Sequence, residues 1–153
     1  MEIESNLSLI EGYKYMTKKP DDRGLFVIAC ANLKLARDNL HEVDEIFVNF
    51  ALFNISQSIV KLLKFLCSCY GIEYDYSHFL AAIADKLLLK NVRIPQLITD
   101  SLSEYATWAT KGRYVVNQLV MKSYAEKHIL CVESWIETLE KQMHLQNPYM
   151  KKK

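Results

Sequence analysis

One stretch limits what this chain can fold into more than any other. From about Glu45 to Tyr70 runs EIFVNFALFNISQSIVKLLKFLCSCY, free of glycine and proline. Its apolar residues recur at three- and four-residue steps, the repeat of an α-helix. At 1.5 Å per residue the helix is about 40 Å long, the longest in the chain. Asp44 is placed to cap its start, and Gly71 suits the left-handed position that ends a helix. Ile55, Ile59, Leu62, Leu63 and Leu66 take most of one side. Asn54, Ser58, Lys61 and Lys64 share a stripe on the other, with Gln57 at its border. Core helices seldom carry so many polar groups without a use for them. The stripe can line a groove that holds a phosphate-bearing ligand, form a seam between two copies, or face water. Periodicity leaves all three open.

The rest of the chain keeps the helical period. One helix is expected from about Arg23 to His41, with Phe26, Ala29, Cys30, Leu33, Ala36 and Leu40 as its apolar stripe and Asp21 or Asp22 as cap. Another runs from about His78 to Lys90, behind Ser77. A fourth opens at Pro95, a favourable first-turn residue, and continues to about Lys111 before Gly112. The last covers about Asn117–Leu145, with Leu119, Tyr124, His128, Cys131, Trp135 and Leu139 at helical spacing. Residues 3–16 repeat more weakly, through Leu7, Ile10 and Tyr13 to Tyr15, before Lys18-Lys19-Pro20 breaks the pattern. Four glycines and three prolines are too few for a turn-rich β fold. The expectation is an all-α, up-and-down bundle of four to five helices in a single domain over residues 1–153. Its core is about 23–145, with an N-terminal extension over 1–20 and a frayed tail over 146–153.

Charge and cysteine usage remove several classes of function. A formal net charge of +1 argues against a wide basic surface for duplex DNA. No apolar run approaches 18 unbroken residues, so no membrane span is expected, and the first residues carry acids where a secretory leader needs bases. Cys30, Cys67, Cys69 and Cys131 form no CxxC pair, which argues against zinc. Cys67 and Cys69 point about 200° apart on a helix. All four read as reduced core thiols of a cytoplasmic protein. Acidic clusters for a metal, a glycine-rich phosphate loop and a Ser-His-Asp set are all missing, so neither metal nor cofactor is expected.

Several short phrases occur in a telling order. Phe53-Asn54, Gln57, Lys61, Lys64 and Leu66 sit in the long helix, followed by Tyr70-Gly71. Ser77-His78 opens the next helix, Tyr105 and Gly112-Arg113-Tyr114 follow, and Ala125, His128 and Trp135 lie in the last. Together, over about Arg23–Leu145, they resemble the HEPN domain family (higher eukaryote and prokaryote nucleotide-binding). Val60 stands where that family often has Glu, and Val115 where Pro usually follows Arg-Tyr. The resemblance implies a ligand site drawn from Asn54, Gln57, Lys61, Lys64, His78, Arg113 and Tyr114. It implies a homodimer, a nucleotide or RNA ligand, and a nucleotidyltransferase-type partner as in toxin–antitoxin pairs.

Many members of that family are metal-independent ribonucleases with Arg, four to six residues, then His. A guanidinium clamps the scissile phosphate and an imidazole moves protons. Here the windows after Arg23, Arg37, Arg93 and Arg113 contain no histidine, so no catalytic residue is assigned. Two near misses exist. Arg37 and His41 are four apart on one helical face, read as a solvated surface pair. Lys122 and His128 have the spacing but Lys lacks the planar fork, and His128 reads as a core-edge histidine. His78 reads as a phosphate contact at a helix start or a local turn bond, and Arg113 as an acid or phosphate clamp or a helix-end cap. The leading expectation is a non-catalytic binding bundle. The alternatives are a divergent ribonuclease toxin, which unites Arg113 with His78 or His128 through the fold, and a purely structural dimerisation module.

Overall fold

The computed structural model describes residues 21–74, 80–110 and 122–150. These form α1 (Asp21–Leu40), α2 (Ile46–Cys69), α3 (Leu80–Leu89), α4 (Gln96–Asp100), α5 (Leu102–Thr110) and α6 (Lys122–Met143), with no strand among the described residues. The all-α expectation holds. Residues 3–16, Ser77, His78 and 117–121 lie outside the described residues.

α2 is the axis of the bundle. From Ile46 to Tyr70 no residue is exposed, so its polar stripe is not an open wet face. Although its apolar runs are broken, α2 is long and apolar enough to cross a membrane, the one such helix among the described residues, and most of it is buried by its neighbours. α1 packs along it antiparallel, with Phe26 against Phe65 at 5.6 Å between ring centroids. α6 runs antiparallel to α1, since Arg37 of α1 reaches Glu126 and Glu133 while Glu140 bears on Cys30. Burial of the thiols pushes Cys30 up to about 12 and Cys67 up to about 11. Both stay protonated and inert at neutral pH. All four cysteines are free, three of them buried and Cys131 half-buried.

The helix ends follow from local chemistry. Asp44 Oδ1 accepts from the Ile46 backbone N–H at 3.0 Å, the expected cap. Gly71 adopts φ 66° after α2, Asn91 φ 62° after α3 and His144 φ 54° after α6. The next N–H in each case reaches back to the carbonyl five residues earlier: Ile72 to Cys67 at 2.8 Å, Val92 to Leu87 at 3.0 Å, Leu145 to Glu140 at 3.0 Å. The same left-handed stop therefore recurs three times, each time followed by an apolar residue that folds back on the helix.

One expected helix is divided. The segment expected as a single helix from Pro95 to Lys111 breaks at Ser101, which has φ −115° and ψ 15° and separates α4 from α5. The Ser101 N–H bonds Ile98 O at 3.1 Å, a tightened last turn. Thr99 Oγ1 donates to Gln96 O at 3.0 Å and Asp100 Oδ1 accepts from Gln96 Nε2 at 2.8 Å. A short hydroxyl side chain such as that of Thr99 competes with the backbone ladder, and the helix breaks two residues on.

Candidate functional site

The polar stripe of α2 divides into two halves with different partners. Asn54 and Ser58 face α1. Asn54 Nδ2 donates to Asn39 Oδ1 at 3.0 Å, and Asn32 Nδ2 donates to Asn54 Oδ1 at 3.5 Å. The fully buried Ser58 hydroxyl donates to the Ala29 carbonyl at 2.8 Å. Asn54 is thus a staple between two helices of one chain.

Gln57, Lys61 and Lys64 form the other half, all half-buried. Lys61 Nζ donates to Gln57 Oε1 at 2.9 Å, and Lys64 Nζ lies 5.8 Å from the centre of the Tyr74 ring. Burial, and then the like charge of Lys64, push the Lys61 pKa below its ordinary value. No described carboxylate forms an ion pair with either lysine. Two half-buried ammonium groups one turn apart, beside an amide and with no counter-charge among the described residues, suit an anion with several oxygens.

His128 of α6 sits in an aromatic knot. Its Nδ1 shares a hydrogen bond of 2.7 Å with the Tyr105 hydroxyl. The rings of Tyr105, Trp108 and Tyr124 surround it edge-on at 5.5, 5.4 and 4.6 Å. His128 is fully buried, and its Nε2 has no partner among the described residues. Burial lowers its pKa, Glu104 raises it and Lys127 lowers it again, the net shift being downward. The imidazole is neutral at pH 7. Tyr124 donates to Glu104; burial and that bond to a carboxylate push its phenol up to about 12. Burial likewise holds the Tyr105 phenol well above its ordinary value.

Both near misses are therefore committed elsewhere. Lys122 is exposed while His128 has no surface at all, deeper than the core edge expected for it. Arg37 is not half of a solvated pair with His41. Its Nη2 donates to Glu133 Oε1 at 2.8 Å, its Nε to Glu133 Oε2 at 3.4 Å and its Nη1 to Glu126, so one guanidinium clamps α6 onto α1. His41 is exposed.

Of the expected site residues, Gln57 and Lys61 meet, Lys64 lies one turn on, and Asn54 turns to α1. His78, Arg113 and Tyr114 lie outside the described residues. The Arg37 clamp was missed, although Glu126 and Glu133 are seven apart and so share a helical face. Arg93, exposed beside a large groove, was missed as well.

A family model for the HEPN domain matches residues 23–142, from the first turn of α1 to the last turn of α6. No curated protein and no solved structure matches the chain.

Proposed function

The chain belongs to the HEPN domain family, and on that premise we propose that it is a non-catalytic binding bundle whose ligand is a nucleotide or RNA held by its phosphates. The observation that carries this reading is the family pattern without its Arg…His pair, together with the prior engagement of both near substitutes. Arg37 is held by two glutamates. His128 is sealed among rings, where its nitrogen reaches no substrate. Lys61 and Lys64 supply positive charge that no described carboxylate pairs with, beside Gln57, the chemistry that a phosphate requires. A cytoplasmic homodimer paired with a nucleotidyltransferase-type protein, in a toxin–antitoxin-like system, is the setting that goes with it.

The test is RNA cleavage in EDTA by the full chain and by its Arg113→Ala and His128→Ala variants, beside RNA binding by a Lys61→Gln, Lys64→Gln variant. The expected result is no cleavage by any of the three, and binding weakened about tenfold, or about 1.4 kcal/mol, in the double variant. Cleavage by the full chain that disappears in Arg113→Ala would establish a divergent ribonuclease instead. Unchanged RNA binding in the double variant would remove the two lysines from the site.

A further inference from the structure

A groove of about 1070 Å³ lies between α6, the end of α2 and the connection from α3 to α4. None of the polar stripe of α2 lines it. Its volume is that of a small-molecule site. Leu66, Ile94, Trp135 and Leu139 give it apolar walls, and its α6 wall runs from Cys131 to Met143, about 18 Å of helix. α6 is a charged helix whose charges stop at this face. Its exposed positions elsewhere include Lys127, Glu137 and Lys141, whereas those that open into the groove are Ser134, Thr138 and Gln142. Thr138 turns its hydroxyl on its own helix, donating to the Ser134 carbonyl at 3.2 Å. Burial raises the Cys131 thiol and the Tyr70 phenol above their ordinary values, so both stay uncharged at neutral pH. Among the described residues, Arg93 is the one charged side chain in the lining. It is exposed and makes no ion pair with any described residue. A neutral, largely apolar trough with a single unanswered guanidinium is complementary to a molecule of the same layout, an apolar body with one acid.

We propose that this groove binds an unbranched aliphatic carboxylate, with its acid on Arg93 and its chain laid along α6. Charge selects the head group. One guanidinium matches one carboxylate, fork to fork, whereas a phosphate monoester carries a charge of about −1.5 to −2 at neutral pH. The two lysines of the α2 stripe make the contrasting case, and the two places therefore differ in the anions they suit. Shape selects the body. A compact acid such as benzoate leaves most of the α6 wall in water, whereas every methylene of a chain that covers the wall adds to the affinity.

The experiment is calorimetric titration of the full chain with decanoate, kept below the concentration at which the probe aggregates. Hexanoate tests the chain and decanol the acid. Thiol labelling of Cys131 reports the place, because Cys131 is the half-buried cysteine on the groove wall and the other three are buried. Arg93→Gln removes the charge and Thr138→Glu sets an acid in the trough; both positions are exposed, and circular dichroism checks that the helices persist. Decanoate should saturate a single site per chain, bind at least about tenfold more tightly than hexanoate, and slow Cys131 labelling. Arg93→Gln should weaken decanoate about tenfold, and Thr138→Glu should remove its binding. Decanol should bind more weakly than decanoate and be indifferent to Arg93→Gln. Absence of saturable decanoate binding overturns the proposal. So does binding that either variant leaves unchanged, or that leaves Cys131 labelling at its free rate, since the probe then sits elsewhere. Hexanoate or decanol binding as tightly as decanoate overturns it too, because chain or acid is then not recognised.

Discussion

The seam between α1 and α2 and the knot between α5 and α6 both bury polar side chains, by opposite means. In the seam, polar groups of one helix are met by polar groups of the other, Asn54 by Asn39 and Asn32 and Ser58 by the Ala29 carbonyl, with only Asn32 Oδ1 lacking a partner among the described residues. Each such bond adds only about 0.5–1.5 kcal/mol net. Their larger effect is alignment, because sliding α1 by one residue along α2 breaks all of them at once. In the knot, His128 has a single hydrogen bond and three rings, and its second nitrogen is left alone. Buried aromatic area there outweighs an unpaired nitrogen. The seam sets register and the knot supplies stability.

Variants at the two places should separate these roles. The largest effect belongs to the knot. Tyr105 is fully buried, and Tyr105→Ala removes its ring from Trp108 and His128 as well as the bond to Nδ1. A loss of about 3–5 kcal/mol is expected in denaturant unfolding; a loss under about 1 kcal/mol would mean that the knot is peripheral. Next comes the seam. Asn54→Ala leaves the Asn39 and Asn32 amides without their partner and should cost about 1–3 kcal/mol. If Asn54→Leu, which restores apolar volume, regains all of that loss and keeps the same helix pairing by cysteine crosslinking, the seam does not set register.

The smallest effect is a slope against pH. The folded His128 value lies below the ordinary 6.5, so between the two the unfolded chain binds a proton that the folded chain refuses. The contribution to stability is full above about pH 6.5 and is lost as pH falls toward the folded value. His128→Phe should flatten that part of the profile, read as the denaturant midpoint at about pH 7.5 and about pH 5.5. Parallel profiles for the two proteins would show that folding leaves the proton affinity of the histidine unchanged, the pull of Glu104 cancelling that of burial.

Much of this architecture could be read before any coordinates, and the failures share a cause. Helical period, the Asp44 cap and the Gly71 stop depend on neighbours within a few residues, and these features held. The helix broke at Ser101, just after Thr99 had bonded the Gln96 carbonyl and Asp100 the Gln96 amide, local bonds that apolar periodicity does not register. Asn91 and His144 end helices in the conformation glycine prefers, so no glycine marked those stops. The polar stripe of α2 was visible as a stripe, but the residues covering each half were not. Period identifies a face, whereas only the fold decides whether asparagine, guanidinium or solvent lies opposite. Arg37 shows the same limit, for its partners are about ninety residues away on α6.

The burial of α2 has a consequence for how the chain is made. Taken alone, Ile46–Cys69 has the length and apolar content of a membrane-crossing helix. Its Asn54, Gln57, Lys61 and Lys64 set it apart from a lipid-facing span, yet the rest of its surface needs cover as soon as it emerges from the ribosome. α1 is synthesised just before it and pairs with it across a turn of a few residues, the short-range kind of contact that forms fastest. The Asn and Ser seam therefore joins the two helices that are made first, and α1 covers one side of the most apolar segment before α6 exists.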